Sequence, residues 1–426
     1  MECTARTAKL ARTAVYIAFA LAFSTHANAQ DGFQLLHSFT FGVDGALPSA
    51  PLLVNAAGSV IYGTAQDGGS TNHGNVFRLV RTSQGWKGTV LHSFGQGTDG
   101  WYPDAAVIFD KKGNMYGTTS EGGPFGFGTV FEMSPTGGGR WTESLLHAFS
   151  IYTENTPEGP LIFDQQGNLY GTTLNGGIAF GTVFQMMPPS SPGGQWTENV
   201  IYNFTYTDDG AYPDSALLID KQGNLYGTSH FAGIHDGGTV YELKRTGTGW
   251  QEITLYEFQG GDDGAHPSGP LTTDGKGNLY GTTDDAGAGR CGVVFKLAYS
   301  QGAWVDSTLY SFNCAPDGAN PWGGVSFDRF GNLYGTTSQG GAHGYGTVFK
   351  LSPNPDGTWN ETVLYTFTNG ADGTYPRQGV VPDRLGRLYG VATGGAPPCS
   401  CGTVFELSLP IQPTNASTGN LSQPPN

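Results

Sequence analysis

The chain has 426 residues, of which 68 are glycine and 25 are proline, while 12% are aromatic and only 13% are charged. This composition is typical of an all-β protein with many short strands joined by tight turns. The formal net charge of −15 repels phosphate backbones and anionic lipid, so nucleic acid is excluded as an expected partner.

The first 29 residues are typical of a secretory signal peptide. Lys9 and Arg12 precede an apolar run over residues 14–23, and an A-N-A cleavage site occupies residues 27–29. The apolar run is too short to span a bilayer comfortably. We therefore expect a monomeric mature chain without a membrane span that is secreted or extracellular, with the periplasm as an alternative location.

Residues 30–407 repeat with a period of about 54 residues, and each period holds four short strings. The first is an apolar run after a proline, as in P-L-I-F-D over residues 160–164, and the second contains Y-G-T or a close variant. The third is G-T-V-F or a close variant, and the fourth has the form L-h-x-F, in which h is His or Tyr. Because Gly, Pro, Asp and Asn separate the four strings, they predict four strands in each period. The seven tyrosines of the second string are Tyr62, Tyr116, Tyr170, Tyr226, Tyr280, Tyr334 and Tyr389.

Seven periods of four strands predict a seven-bladed β-propeller of antiparallel blades. A four-stranded sheet cannot hide both faces alone, whereas blades packed in a ring can. We expect the short P-L-I-F-D strand at the axis and the longer L-h-x-F strand at the rim. The chain begins with a rim strand, so residues 34–39 are predicted to complete the blade formed by residues 379–407 and to close the ring. Residues 408–426 are polar and proline-bearing, and they are predicted to form a disordered tail.

The strings F-G-x-G-T-V-F, L-h-x-F, D-G-x-x-P and G-N-L-Y-G-T-T-x-x-G-G resemble the bacterial choice-of-anchor tandem repeat, GloVer-containing family of exported proteins. The resemblance extends over nearly all of residues 34–407. It implies export and often a C-terminal surface anchor, but no established reaction. The sequence after Ser408 shows no hydrophobic anchor helix, basic stop or sortase-type signal, so attachment to a cell surface is left open.

The loops that join successive blades carry a D-G-x-x-P motif and are predicted to lie on one face. Carboxylates that accept hydrogen bonds from hydroxyls, beside rings that stack on sugar faces, predict a site for a carbohydrate or another polar ligand. As an alternative, Asp-Gly is an ordinary turn pair in which the aspartate bonds its own backbone. The residues proposed for ligand contact are Asp44, Asp99, Trp101, Tyr102, Asp209, Tyr212, Asp263, Asp317, Trp322, Asp372 and Tyr375.

Metal and cofactor signals are weak in this sequence. Calcium is the only cofactor considered, because oxygen-rich loops suit a hard cation, but no D-x-D-x-D-G string is present. His37, His92 and His147 occupy equivalent rim-strand positions, which indicates a structural role. His235 and His266, in adjacent loops of one face, are the only histidine pair considered as metal ligands.

No short catalytic motif occurs: there is no G-x-S-x-G, no H-E-x-x-H, no phosphate loop and no dinucleotide fingerprint. The favoured function is therefore a non-catalytic exported protein that binds an extracellular glycan or another polar ligand. One alternative is a propeller enzyme of the lyase, lactonase or glycosidase type, which would have a single non-repeated cluster of His, Asp or Glu at the central mouth. The other is a structural repeat that binds a surface protein.

Four cysteines follow the predicted signal peptide. Cys291 opens the third strand of its blade and Cys314 follows the fourth strand, and these strands are antiparallel neighbours. We therefore predict a disulfide between them, as expected for an exported chain. Cys401 occupies the matching position in the last blade and has only Cys399 nearby. A C-S-C bridge would be small and strained, so the second bond is not favoured.

Overall fold

The computed structural model describes residues 32–151, 154–177, 180–191 and 193–409. The predicted signal peptide lies outside these residues, as does the predicted C-terminal tail beyond residue 409. Within the described ranges every regular element is a β-strand, and no helix there has the length and apolarity needed to cross a bilayer.

The strands are short near the start of each period and longer at its end. In chain order they are β1 Phe33–Ser38, β2 Leu53–Val54, β3 Val60–Ala65, β4 Asn75–Thr82, β5 Gly85–Ser93, β6 Ile108–Phe109, β7 Met115–Thr119, β8 Thr129–Gly137, β9 Arg140–Ala148, β10 Glu154–Asn155, β11 Ile162–Phe163, β12 Leu169–Thr173, β13 Asn175–Gly176, β14 Thr182–Met187, β15 Thr197–Asn203, β16 Leu218–Ile219, β17 Leu225–Ser229, β18 Thr239–Thr246, β19 Gly249–Glu257, β20 Ala265–Pro267, β21 Thr272–Thr273, β22 Leu279–Asp285, β23 Val293–Ser300, β24 Ala303–Ser311, β25 Val325–Phe327, β26 Leu333–Thr337, β27 Thr347–Pro353, β28 Trp359–Thr366, β29 Val381–Pro382, β30 Arg387–Ala392 and β31 Thr403–Ser408.

Seven antiparallel sheets form a seven-bladed β-propeller, which confirms the fold predicted from the repeats. From the inner to the outer strand, blade 1 is β2-β3-β4-β5, blade 2 is β6-β7-β8-β9, blade 3 is β11-β12-β14-β15 and blade 4 is β16-β17-β18-β19. Blade 5 is β21-β22-β23-β24 with β20 also paired to β22, blade 6 is β25-β26-β27-β28, and blade 7 is β29-β30-β31-β1. The short strands β10 and β13 form a separate ribbon, where the third D-G-x-x-P loop is degenerate.

The ring closes through the N-terminal strand, as predicted. Strand β1 pairs antiparallel with β31, with Phe33 opposite Leu407 and Ser38 opposite Thr403. The ring of Phe33 also stacks on Tyr365 of blade 6, with 4.2 Å between centroids. Blade 7 therefore has its fourth strand, and β31 has no free edge.

The repeated G-N-L-Y-G-T-T string follows a turn that the preceding aspartate closes. In blade 3 the carboxylate of Asp164 accepts hydrogen bonds from the backbone N–H groups of Gln166 and Asn168, each at 2.9 Å. The hydroxyl of Tyr170 donates to the same carboxylate at 3.1 Å. Gly167 takes the positive φ of 89° that this tight turn needs. The string therefore recurs because it builds the same turn in successive blades.

The glycine after the tyrosine makes room for the aromatic residue of the G-T-V-F string. A Cβ added at Gly171 would lie 2.6 Å from Cζ of Phe184, and one at Gly117 would lie 2.6 Å from Cζ of Phe131. An equivalent close approach occurs in all seven blades. In each blade, the glycine of the second string therefore packs directly against the aromatic ring of the third string.

Candidate functional site

The aspartates of the D-G-x-x-P motif close their own loops. Asp99 accepts hydrogen bonds from the backbone N–H groups of Gly95 and Gln96, and its Oδ2 lies 2.9 Å from Nε2 of His92. All six aspartates bond a backbone N–H four residues upstream, and each contacts the His or Tyr seven residues upstream in the rim strand. The structure thus gives them the turn role that was the alternative to ligand contact; they are Asp44, Asp99, Asp209, Asp263, Asp317 and Asp372.

The last two residues of the motif join each blade to the preceding one. The residue before the proline has a positive φ of 53° to 60° in all seven blades. Its N–H donates to the preceding blade, as from Tyr102 to the carbonyl of His73 at 3.0 Å. The proline packs on the glycine of G-T-V-F, and a Cβ at Gly74 would lie 2.5 Å from Cδ of Pro103. The whole motif therefore serves the architecture.

The residue directly after the proline differs between most blades. It precedes the innermost strand, so these seven residues, which we call the post-proline ring, lie around the axis on the D-G-x-x-P face. Neighbours contact each other around this ring: Oγ of Ser49 donates to Oδ1 of Asp104 at 3.4 Å, and Oγ of Ser268 donates to the carbonyl of Trp322 at 3.4 Å. From blade 1 to blade 7 the ring is Ser49, Asp104, Glu158, Asp214, Ser268, Trp322 and Arg377.

Four carboxyl groups form what we call the acidic arc: Asp104, Glu158 and Asp214 of the post-proline ring, and Asp284 at the end of β22. Burial raises the pKa of Asp104 to about 6, although Ser120 donates to it at 2.6 Å. Burial and then Asp104 raise the pKa of Glu158 to about 7. Burial, Glu158 and Asp284 together hold the pKa of Asp214 well above its usual range. Burial also raises the pKa of Asp284 to about 7, and only 9% of its side chain is exposed.

Two histidines complete the cluster. The rings of His230 and His266 are stacked, with centroids 5.4 Å apart and an interplanar angle of 8°. Nδ1 of His230 lies 3.8 Å from Oδ2 of Asp214, and Nδ1 of His266 lies 3.9 Å from Oδ1 of Asp284. Burial and then the neighbouring His266 lower the pKa of His230 to about 4, so His230 is neutral at pH 7. Trp322 contacts this pair, with its ring 5.8 Å from that of His230.

Three buried polar atoms of the cluster have no hydrogen-bond partner in the described part of the chain. They are Oδ1 of Asp214, Nδ1 of His230 and Oδ1 of Asp284. A buried polar atom left unpaired costs about 1–3 kcal/mol. These three atoms can therefore form hydrogen bonds with a bound ligand.

The structure separates the aromatic residues predicted for ligand contact into two groups. Trp322 belongs to the axial cluster, where the guanidinium of Arg377 lies 5.8 Å from its ring centroid. The others surround the axial cluster in the D-G-x-x-P loops, where Trp101 is 38% exposed and Tyr375 is 40% exposed. This second group is Trp101, Tyr102, Tyr212 and Tyr375.

Sequence reasoning missed most of the axial cluster because it concentrated on the repeated motif. The signal that would have found the cluster is departure from the repeat. Asp214 follows a proline, at a position where other blades have Ser49 or Trp322. His230 and Asp284 stand four residues after the repeated tyrosine, where other blades have Ser338 or Leu174. The histidine that stacks on His266 is His230, and not His235 as considered from the sequence.

No three His, Cys, Asp or Glu side chains in the described ranges are grouped so that they could hold a metal ion. The acidic arc and the histidines are instead distributed over neighbouring blades. The acidic arc and the two histidines therefore provide hydrogen-bond acceptors and donors along a surface, and they do not converge on one point.

Both cysteine pairs are disulfide-bonded. Cys291 and Cys314 are joined as predicted, with Cα atoms 5.4 Å apart. Cys399 and Cys401 are also joined, with Cα atoms 5.2 Å apart, so the expectation against this bond was wrong. The intervening Ser400 adopts a positive φ of 57°, which bends the chain sharply between the two cysteines.

The chain is thus a seven-bladed β-propeller with a polar cluster, drawn from non-equivalent residues of several blades, at one end of its axis. The chain belongs to the Gloeobacter/Verrucomicrobia repeat family, whose model matches residues 20–217 and 179–405. Among curated proteins, none matches this chain in sequence.

Solved structures resemble this chain at low sequence identity. A proposed 6-phosphogluconolactonase from Bacteroides uniformis is 15% identical with a TM-score of 0.50, and the match covers 74% of this chain and 84% of that one. A proposed oxidoreductase, described as a glucose dehydrogenase, from Thermus thermophilus is 15% identical with a TM-score of 0.45, covering 74% and 97%. A proposed 6-phosphogluconolactonase from Bacteroides fragilis is 14% identical with a TM-score of 0.49, covering 74% and 82%. These likenesses concern the fold alone.

Proposed function

We propose that this chain is an exported binding protein that holds a carbohydrate, or another hydroxyl-rich extracellular ligand, at the axial cluster. The observation that carries the proposal is the set of unpartnered buried atoms on Asp214, His230 and Asp284. A sugar hydroxyl both donates and accepts hydrogen bonds, so adjacent hydroxyls can satisfy carboxylate oxygens and a neutral imidazole nitrogen together.

The aromatic residues support a carbohydrate in particular. Trp322 lies within the cluster, and Trp101 and Tyr375 expose ring surface in the surrounding loops. Sugar rings have apolar faces that stack on such side chains, while their hydroxyls contact polar groups at the edge. Two disulfides are compatible with an oxidising compartment outside the cytoplasm, in line with the predicted signal peptide.

A glycan array probed with the mature chain tests the proposal. We expect saturable binding to a defined glycan, weakened at least about tenfold by Trp322→Ala and also by joint substitution of Trp101, Tyr102 and Tyr375 with alanine. Tyr299→Ala is the matched control, because Tyr299 is 62% exposed but lies near the end of β23, next to the turn into β24 on the opposite face. Glycan binding that is unchanged by Trp322→Ala and by the triple substitution would contradict binding at the axial cluster. Loss of binding in Tyr299→Ala would contradict it as well.

An acid–base enzyme at the same mouth is the second candidate function. A single non-repeated cluster of histidines and carboxyls at the axis is the feature that favours it. Burial raises the pKa of Asp214 and lowers the pKa of His230 to about 4, and Oδ2 of Asp214 lies 3.8 Å from Nδ1 of His230. Two neighbouring groups whose pKa values are shifted in opposite directions are typical of acid–base catalysis. Incubation of the bound glycan with the chain, followed by analysis for new reducing ends or unsaturated products, separates an enzyme from a binder. Products that persist with His230→Gln would exclude this mechanism.

A further inference from the structure

We propose that the ligand carries protonated amines, and that the acidic arc binds these ammonium groups. This inference rests on the proposed function, because it specifies the chemistry of the ligand at the same site. The arc presents carboxyl groups from four successive blades: Asp104 from blade 2, Glu158 from blade 3, Asp214 from blade 4 and Asp284 from blade 5.

The arc has no countercharge from the protein. In the described ranges, no lysine or arginine forms an ion pair with any of its four carboxyl groups. The nearest ring nitrogens belong to His230, which burial holds neutral, and to His266. The guanidinium of Arg377 lies beside Trp322 instead. Neighbouring acids therefore repel one another at this site, and a cationic ligand would remove that repulsion.

The unpartnered atoms also match an ammonium group. Oδ1 of Asp284 is buried without a hydrogen bond, on a side chain that is 9% exposed, and Oδ1 of Asp214 is unpartnered too. An ammonium has three donors and no acceptor, so it satisfies carboxylate oxygens without presenting a second acceptor to them. Hydrogen bonds between charged partners are also about twice as strong as neutral ones.

The distribution of the arc over four blades suits an amino sugar oligomer better than a single ion. The carboxyl groups follow one another around the axis over four blades, and the aromatic face of Trp322 lies next to them. An oligosaccharide of glucosamine presents ammonium groups at intervals along a chain of rings that can stack. Its N-acetylated form has the same rings and ring hydroxyls but no charge, which makes the two an informative pair of probes.

Isothermal titration of the mature chain with glucosamine and N-acetylglucosamine oligosaccharides of equal length tests the inference. We expect the glucosamine oligomer to bind at least about tenfold more tightly, and Glu158→Gln with Asp214→Asn to abolish that preference. The control is Asp356→Asn, which removes one negative charge from a fully exposed turn and should leave the preference intact.

Several results would overturn the inference. One is equal or tighter binding of the N-acetylated oligomer, which would leave the proposed carbohydrate site standing. Another is a preference that persists in the Glu158→Gln, Asp214→Asn variant, since it would then come from net charge alone. Should the double variant fail to fold by circular dichroism, Glu158→Gln alone must still reduce the preference. If no glycan binds at all, the proposed function itself fails.

Discussion

Substitution of Gly117 by alanine in β7 should destabilise the propeller by forcing the ring of Phe131 out of place. The new Cβ would lie 2.6 Å from Cζ and 3.0 Å from Cε1 of that ring. Ordinary carbon contacts are about 3.5–4.0 Å, so the ring or the strand must move by about 1 Å. Overpacking of this kind costs about 1–3 kcal/mol. Alanine recovers about 0.4–1 kcal/mol by restricting the unfolded chain, which leaves a net loss of about 1–2 kcal/mol.

Urea unfolding followed by tryptophan fluorescence measures this loss as a shift in midpoint at constant slope. Gly247→Ala is the matched control, because a Cβ there meets nothing within 4 Å and Gly247 has no positive φ. Its stability should stay within about 0.5 kcal/mol of the parent. Since Phe131 is fully buried, Phe131→Leu should destabilise on its own, but combined with Gly117→Ala it should lose less than the sum by about 1 kcal/mol. Strict additivity, or equal behaviour of the Gly117 and Gly247 variants, would refute the packing contact.

Three further results are expected for stability. Replacing Cys291 and Cys314 together by alanine opens a loop whose ends are 23 residues apart, and this should lower the free energy of unfolding by roughly 3 kcal/mol. Urea unfolding measures the loss, and an unchanged midpoint would contradict a stabilising role of this disulfide. Deleting β1 should lower the free energy of unfolding by at least about 4 kcal/mol, seen in a thermal melt, because its apolar side chains leave the core. Burial and then Asp317 raise the pKa of Glu361 from 4.5 to about 7, so the folded chain binds a proton at Glu361 more tightly than the unfolded chain does. The stability that this proton provides is complete below pH 4.5 and is lost as pH rises through 7. The urea midpoint should therefore be higher at pH 5 than at pH 8, and Glu361→Gln should reduce this difference. A difference of the same size in the Glu361→Gln variant would contradict the raised pKa of Glu361.

The fold was predictable from the sequence because repetition reports on architecture. Each period must bury the same faces against its neighbours, so Tyr170, Gly171 and Phe184 recur in kind around the ring. The closure by β1 followed from an incomplete last period, and it is confirmed by the pairing with β31. The ribbon of β10 and β13 had no such signal, since it occurs where the repeat is degenerate.

The site was not predictable to the same degree, for the same physical reason. Asp99 and its counterparts are repeated because each loop needs a carboxylate to bind its backbone N–H groups. Asp214 and His230 are not part of the repeated strings, so a search for periodicity does not find them. Their burial and contacts depend on three blades meeting at the axis, which only the assembled ring shows.

The pairing of β1 with β31 determines when the propeller can finish folding. Strand β1 leaves the ribosome first, yet its hydrogen-bond partner is the last strand of the ring to be made. Blades 1 to 6 can form their sheets in order of synthesis, whereas blade 7 must wait until both ends of the repeat region are free to meet. Contacts of such long sequence separation form late, so the chain stays open through most of its synthesis. An open chain is also the form that a secretion channel can thread, so the proposed export would require β1 to pair with β31 only after the chain has crossed the membrane.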